Sequence, residues 1–572
     1  MLTEPSRAGQ RRSKAGSCKL GNAGETLLHL TDAVAVSLLY PDVVYVSLRQ
    51  SHQTKTFIAM FSKSITLSLS IVTRRLIAFK KWMKANGVDC SDALDLVEDQ
   101  NDAVSVKASR DLKEGDVVAN ISKTACLTVK TSGAREMIES AELDGPLALS
   151  VAIMYERGLG QESPWAGYLQ ILPFQEDLPL VWPLDELDSL LSGTEIHKDV
   201  KKDHGLVYED WEENIVPLTP LLPENVDRGS FGIKEYLAAK SLIASRSFEI
   251  DDYHGWGMVP LADLFNHKTG EEDVHFTAEL PHSESDSEAD ETDNSDAASA
   301  ATDEEDETSS KNSTSPEQSL EDENTDEEAK EEEDSSMLQD DVSSLEMIMV
   351  KNVPAGAEVY NTYGLIGNAA LLHRYGFTEL DNLYNIVNID LDLVTEWSTS
   401  SFTTRYTRAR LALFKKLGYN SEYFEVSSTG EPETELLMLL NILLLPDDTY
   451  NKLDLALTGD CVSKEGREIT IGKHKVKFGE SCSSDVLLTD GVCEALLAIV
   501  DKREGLYGTS SSLEDDVVKV ESCVLPRDRR LYHSLVLRVS ERRILEKLRS
   551  NVRERLGEVS GGKRRKKMNS KS

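Results

Sequence analysis

The sequence has little cysteine and lacks the spacings that cysteine takes in disulfide frameworks and metal sites. Its 572 residues include seven cysteines, an odd number, and no CxxC motif. Neither a disulfide framework nor a zinc ribbon is indicated, and a reducing compartment is expected. His254, His267, His275 and His282 lie at intervals along the chain without partner cysteines or an HExxH motif, so no metal site is predicted.

The sequence also lacks an apolar run suited to crossing a membrane. The most apolar stretch near the start, residues 56–72, contains Lys63 and several Ser and Thr, whereas a spanning helix needs about 20 mostly apolar residues. Acidic residues are scarce here, with four in residues 1–84. This composition is similar to an organellar transit peptide, but no amphipathic helix stands out. We therefore interpret residues 1–73 as a poorly ordered extension, with a targeting peptide as the alternative.

What the chain has in excess is acid, and most of the excess lies in one segment. Residues 283–341 contain 25 Asp or Glu and 2 Lys, a local net charge of −23 out of the total of −38. The pattern predicts a disordered acidic loop over about 282–342. Such a loop attracts basic proteins and repels nucleic acid, so a basic protein partner is expected and direct nucleic-acid binding is not.

Apolar periodicity divides the rest of the chain into a β-rich opening, a helical insert and a helical end. Strands are predicted at 104–108, 117–121, 345–350 and 357–363. Helices are predicted at 74–86, 147–157, 184–192, 205–218, 233–248, 369–375, 405–417, 433–445, 487–501 and 529–548. Asn368 is predicted to cap the helix that follows it, and Gly376 to end that helix. The combination indicates an α+β fold.

Three segments carry the chemistry: Ser163–Pro173, Val259–His267 and Tyr360–Gly364, the last continuing to Tyr375-Gly376-Phe377. The last two place tyrosines, an Asn-His pair and glycines on otherwise apolar backbone, as a small buried reaction site requires. Together the segments resemble the SET-domain lysine methyltransferases of the Rubisco large-subunit methyltransferase type. Within that family the chain is most similar to the branch of SET-domain-containing protein 6 and the ribosomal-protein lysine methyltransferases.

This resemblance implies a β-rich SET pseudoknot in residues 74–380, with a helical insert at about 132–240. A helical substrate-binding domain at 381–556 and a basic tail at 557–572 are expected to follow, and within the tail the basic cluster comes after a Gly-Gly hinge at 561–562. It also implies S-adenosylmethionine as the cofactor, whose methyl passes to a substrate lysine through a channel closed by tyrosines. The expected partner is a ribosomal or other basic protein with an accessible lysine.

The resemblance also assigns roles to individual residues. Tyr363 is the expected catalytic residue and a cofactor contact. The remaining expected cofactor contacts are Ala103, Val104, Ser105, Arg246, Asn266 and His267. Asp263 and Tyr375 are expected to face the substrate lysine. Where the family often has Gly-x-Gly on its first cofactor strand, this chain has Ala103-Val104-Ser105, whose small ends still allow a close backbone approach.

Two other functions fit the same fold. A related branch methylates a protein histidine, and a SET scaffold without turnover serves as an adaptor. The retained Tyr363, Asn266 and His267 argue against the adaptor. The basic cluster at residues 563–567 favours the nucleus, with the cytoplasm as a second compartment, whereas the acid-poor start favours a chloroplast or other organelle. A monomer without membrane attachment is expected.

Overall fold

A computed structural model describes residues 74–99, 103–277, 344–458, 468–471, 474–477, 484–508 and 511–569. The predicted N-terminal extension and the predicted acidic loop lie outside these ranges. Helices and small antiparallel sheets share the described chain, so the predicted α+β class is confirmed.

The strands are short and form several small sheets. They are β1 (Val88–Cys90), β2 (Leu94–Glu98), β3 (Val104–Ala108), β4 (Val117–Ser122), β5 (Leu127–Thr128), β6 (Ser247–Asp251), β7 (Gly255–Met258), β8 (Val274–Thr277), β9 (Ser344–Met349), β10 (Val387–Asp390), β11 (Tyr423–Val426), β12 (Glu468–Ile471) and β13 (His474–Lys477). The sheet orders are β1-β4-β9-β8, β2-β3, β5-β7-β6, β10-β11 and β12-β13. Alternation sets the register of β2 on β3, where Leu96 and Val106 pair and both are buried.

The acidic segment connects two neighbouring strands. β8 precedes it and β9 follows it, and the two pair antiparallel with Thr277 opposite Glu346. The acidic segment therefore begins and ends at the same end of two paired strands, and these strands belong to one sheet.

The α-helices make up about half of the described chain. They are α1 (residues 74–85), α2 (Arg135–Ser140), α3 (Gly145–Leu159), α4 (Ala166–Leu169), α5 (Leu184–Leu190), α6 (Ile196–Asp210), α7 (Ile233–Arg246), α8 (Asn368–Tyr375), α9 (Leu391–Ser401), α10 (Thr404–Lys416), α11 (Thr434–Leu443), α12 (Asp447–Thr458), α13 (Ser484–Leu487), α14 (Asp490–Gly505), α15 (Leu513–Ser522) and α16 (Arg529–Asn569). α3 is buried over most of its surface, from Ala148 to Glu156.

Three predicted helix features are wrong. The helix expected at 205–218 is α6, which starts at Ile196; a π turn and a 3-10 turn follow it, because Pro217 has no N–H to continue the α ladder. The helix expected at 487–501 starts later, because the Thr489 side chain accepts from the Val492 N–H and caps α14. α16 continues through Gly561 and Gly562, so no hinge forms there.

The strand predicted over 357–363 is also wrong as a continuous strand. The segment makes isolated bridges, with Glu358 opposite Lys107 of β3 and Asn361 opposite His267. It changes partners within three residues, so no ladder is long enough to form a regular strand. This crossing links the early strands to the Asn-His segment.

Two large hydrophobic cores occupy the described chain. The first draws on residues between Phe79 and Val359, and the second on residues between Val387 and Val552. A smaller cluster joins Trp182 of the insert region to Leu372 of α8 and Leu537 of α16. The cores separate near the domain boundary predicted at residue 381, whose position stays a prediction.

Candidate active site

The segments 259–267 and 360–363 lie side by side and are held together by backbone contacts. The N–H of Asn361 donates to the carbonyl of Asn266 at 2.9 Å, and the pairing is parallel. Leu261, buried at the start of a 3-10 turn, has a φ of +78°. A bulky residue in this region costs about 1–2 kcal/mol, and such strain is common at functional sites.

His267 makes the second connection between the two segments. Its Nδ1 accepts from the backbone N–H of Tyr363 at 2.9 Å, and its Nε2 lies 3.0 Å from Oγ1 of Thr269. Because Nδ1 is an acceptor, the ring carries its proton on Nε2 and donates to Thr269. Burial lowers the pKa of His267 and keeps the imidazole neutral.

Tyr363 lies between His267 and Tyr375 in a stack of aromatic rings. Its ring centroid is 5.0 Å from that of His267 and 4.5 Å from that of Tyr375. Its hydroxyl donates to the carbonyl of Phe265 at 3.0 Å. Burial raises the pKa of Tyr363 far above its ordinary value, and burial also raises the pKa of Tyr375. Both side chains are therefore neutral phenols near pH 7.

A charged group lies beneath this stack. The Nη1 of Arg246 donates to the backbone carbonyl of Asp263 at 2.7 Å and lies 3.9 Å from Oδ2 of its carboxylate. The Nε of Arg246 donates to Oε1 of Glu176 at 2.6 Å, and the hydroxyl of Tyr168 donates to Oδ2 of Asp263 at 2.8 Å. Burial lowers the pKa of Arg246, but Glu176 and Asp263 outweigh it and raise that pKa.

Asp263 is a buried carboxylate with one unsatisfied oxygen. Its Oδ1 has no hydrogen-bond partner among the described residues. Burial raises the pKa of Asp263 to about 6, although Arg246 opposes the shift. The side chain has no exposed area, so its carboxylate does not form an open wall.

Asn266 is the exposed member of an otherwise buried run. Its amide nitrogen donates to Oε1 of Glu358 at 2.7 Å, which ties it to the crossing segment. β3 reaches the same segment through Val106, whose carbonyl accepts from the N–H of Val359 at 2.9 Å. Val104 and Ser105 begin β3, and Ala103 immediately precedes it.

The structure thus brings six of the predicted residues into one connected group: Asp263, Asn266, His267, Arg246, Tyr363 and Tyr375. Direct hydrogen bonds or ring contacts connect them to one another or to the backbone of the same two segments. The group offers a neutral phenol, a neutral imidazole and backbone carbonyls beside a buried ion pair. These groups can position a neutral nucleophile: neither phenol is ionised, and the basic lone pair of the His267 imidazole is taken by the N–H of Tyr363.

Relatives of this chain among known proteins are named as lysine methyltransferases. No family model matches the chain. Ribosomal lysine N-methyltransferase 3 of Saccharomyces cerevisiae is 26% identical over 338 residues, 52% of this chain and 61% of that protein. N-lysine methyltransferase setd6 of Xenopus tropicalis is 22% identical over 402 residues, 65% of this chain and 74% of that protein. This chain thus spans less than two thirds of the yeast relative.

Among solved structures, the SET domain of LSMT bound to lysine and AdoHcy matches with a TM-score of 0.57 at 19% identity. The match covers 85% of this chain and 92% of that one. The chain has a SET-domain fold. The resemblance to SET-domain lysine methyltransferases that the sequence motifs predicted is confirmed.

Two further observations concern membrane crossing and metal binding. Among the described helices, none has the length and apolar character that a bilayer crossing requires. Within the described ranges, no three His, Cys, Asp or Glu side chains converge as ligands of a metal ion would.

Sequence reasoning missed three members of the SET-domain site. Tyr168 and Phe377 lie in the recognised motifs but received no role, although Phe377 is 6.1 Å from His267 between ring centroids. Glu176 was not singled out at all. It lies beside Asp177 in a short polar run after Pro173, and nothing in the sequence distinguishes the two acids.

Proposed function

We propose that this protein is an S-adenosylmethionine-dependent protein-lysine N-methyltransferase. The observation that carries the proposal is the junction of the two segments, which places the neutral phenol of Tyr363 between His267 and Tyr375. The names of the relatives support it, as does the lysine and AdoHcy bound to the matching LSMT structure.

The site residues fit this cofactor, which supplies an electrophilic methyl group when bound. Asn266 is exposed and presents its amide beside the crossing segment, and the start of β3 has small side chains at Ser105 and at Ala103, just before the strand. Arg246 is balanced by two carboxylates, so the surroundings accept a cationic sulfonium. We assign cofactor contacts to Ala103, Val104, Ser105, Arg246, Asn266, His267 and Tyr363.

The chain's own residues position the substrate amine and disfavour its charge. A lysine with a pKa near 10.4 is almost fully protonated at pH 7, and neutralising it costs about 4–5 kcal/mol. Burial among the rings of Tyr363 and Tyr375 lowers that cost, because a charged amine is poorly solvated there. We assign Tyr375 and Asp263 to the lysine side; the field of the buried Asp263 carboxylate attracts the incoming ammonium, and burial among the rings then favours loss of its proton.

Tyr363 orients the reacting groups without taking a proton. Its O–H is committed to the Phe265 carbonyl, so the lone pairs of the phenol oxygen remain to accept from an amine or to contact a polarised methyl. Because the raised pKa keeps the phenol neutral, the lysine proton leaves to solvent. In-line transfer then depends on positioning.

The acidic composition favours a basic substrate, with a ribosomal protein as the first candidate. The strongly negative segment between β8 and β9 follows the Val259–His267 segment closely in the sequence, and its charge attracts lysine-rich surfaces. The basic cluster at residues 563–567 favours a nuclear protein. We propose a monomer that binds neither nucleic acid nor membrane directly.

Calorimetric titration of S-adenosylmethionine, followed by labelling of a cell extract with methyl-labelled cofactor, tests the proposal. We expect binding, and label recovered as methyl-lysine on amino-acid analysis. Label recovered as methyl-histidine would replace lysine by histidine as the acceptor. Absence of cofactor binding by the folded protein would overturn both enzymatic functions and leave the adaptor.

A further inference from the structure

Glu176 is a half-buried acid. Among the described residues, its contact with the site is the ion pair with Arg246. Its Oε1 accepts from the Nε of Arg246 at 2.6 Å. Its own backbone N–H donates to Oγ of Ser241 at 3.0 Å, and Ser241 lies on α7, the helix that ends at Arg246. The acid and its cation are thus both fixed to one helix, which defines their separation.

Arg246 passes this constraint to the reaction site. Its Nη1 donates to the Asp263 carbonyl at 2.7 Å, and two residues later the Phe265 carbonyl accepts from the Tyr363 hydroxyl at 3.0 Å. Glu176, Arg246 and the 263–265 turn therefore form a continuous chain of contacts that ends at the Tyr363 phenol. The charges of Arg246, Asp263 and Glu176 all act on that phenol.

The balance of charge in this group is as important as its geometry. Arg246 contributes one positive charge beneath the site, opposed by Glu176 and by Asp263. Asp263 has a hydroxyl donor and a guanidinium as neighbours, and its other oxygen has no partner in the described chain. Without Glu176, the positive charge of Arg246 would be opposed by Asp263 alone.

We propose that Glu176 is a positioning residue that also sets the charge of the site, so that a cationic sulfonium binds in preference to its neutral thioether product. This inference rests on the proposed function. Glu176 holds Arg246 against the 263–265 turn and leaves the group of Arg246, Asp263 and Glu176 with one net negative charge, which favours a cationic cofactor; without Glu176 the group would be neutral. A purely structural residue would affect charged and neutral ligands alike.

The test compares the affinities of S-adenosylmethionine and S-adenosylhomocysteine by calorimetry in Glu176→Gln. Gln keeps an oxygen that accepts from Arg246 and removes the charge. We expect S-adenosylmethionine to bind about five- to tenfold more weakly, because one opposing charge is lost in a partly solvated setting. S-adenosylhomocysteine should bind within about twofold of wild type. Glu176→Asp, which retains the charge, should restore much of the ratio.

Glu186→Gln is the matched control. The carboxylate of Glu186, on α5, accepts from the guanidinium of Arg530, on α16, at 2.6 Å. This is the same kind of bond, with the same length, as the one between Glu176 and Arg246. Glu186→Gln should leave both affinities unchanged. The ratio of the two affinities within one sample does not depend on the folded fraction. Equal weakening of both ligands, or no change in either, would overturn the inference, whereas failure of wild type to bind either ligand would instead overturn the proposed function.

Discussion

At the residue scale, His267 is the side chain on which the site depends most. It accepts from the Tyr363 N–H, donates to Thr269 and stacks on the Tyr363 ring. Both ring nitrogens are therefore used, and only the neutral ring with its proton on Nε2 satisfies both bonds. The imidazole fixes the start of the turn that carries the Tyr363 phenol.

Replacing His267 with Ala should lower the free energy of unfolding by about 1–3 kcal/mol, because the Tyr363 N–H loses its buried partner. It should also weaken S-adenosylmethionine binding. The control is His275→Ala, which removes an exposed ring that contacts Glu272 and should change stability by less than about 0.5 kcal/mol. Urea unfolding measures the stability of both variants. Equal losses of stability in the two would contradict the role given to His267.

At the element scale, α8 connects the turn that carries Tyr363 to the loop that follows the helix. Gly367 precedes the helix, and Asn368, expected as its cap, is instead its first residue. The Asn368 side chain accepts from the Glu379 N–H and donates to the Glu379 carbonyl, both at 2.8 Å. It therefore holds the chain that returns from Gly376 to Glu379, including Phe377, against the start of the helix.

The end of α8 agrees with the sequence, and its beginning does not. A glycine that follows a helix is a local signal for a left-handed residue that ends it. Gly376 ends α8 as predicted, with a φ of +73°. Asn368 has the chemistry of a cap, but a partner 11 residues away takes its side chain. Local patterns predicted the helices and the motif residues. Long-range partners such as Glu176 of Arg246 leave no local signal.

Replacing Gly376 with Ala should destabilise the protein more than replacing Gly418 with Ala. Both glycines have positive φ, which costs Ala about 1–2 kcal/mol. A Cβ at Gly376 would also lie 2.7 Å from the Asp177 carbonyl oxygen, whereas one at Gly418 would meet nothing within 4 Å. Thermal unfolding of the two variants gives the comparison. A larger loss at Gly418 would contradict this packing around α8.

At the scale of the whole molecule, a buried polar group joins the helical insert to the C-terminal helices. Glu195, just before α6, donates its N–H to Glu541 of α16 at 3.0 Å and accepts from the Asn388 amide at 3.1 Å. Arg503 and Tyr507 also donate to Glu541, at 3.2 Å and 2.5 Å. Burial, then Glu541, raises the pKa of Glu195 to about 8.

Stability should therefore fall as pH rises through neutrality. Unfolded Glu195 titrates near pH 4.3, and the folded carboxyl keeps its proton to about pH 8. Between these values the folded state holds the extra proton, so the free energy of unfolding decreases with increasing pH. Above about pH 8 the full cost of the buried charge remains. The other charges acting on Glu195 are Arg503, Glu425 and Asp199.

Glu195→Gln should raise the thermal unfolding midpoint at pH 8.5 and have little effect at pH 5. The amide stays neutral, still accepts from Asn388, and can donate to Oδ1 of Asn388, which has no partner within the described chain. Glu396→Gln, at an exposed position on α9, is the control and should change neither midpoint. A Glu195→Gln midpoint below wild type at pH 8.5 would show that the carboxylate is charged and useful there.

The most direct test of the central claim is methyl transfer by Tyr363→Phe. The hydroxyl that bonds to Phe265 is lost while both stacked rings remain. We expect the rate of lysine labelling to fall by about 100-fold or more, with S-adenosylmethionine affinity within about fivefold of wild type. Tyr423→Phe, an exposed tyrosine of β11, should label as wild type does. Labelling by Tyr363→Phe within about twofold of wild type would contradict the account.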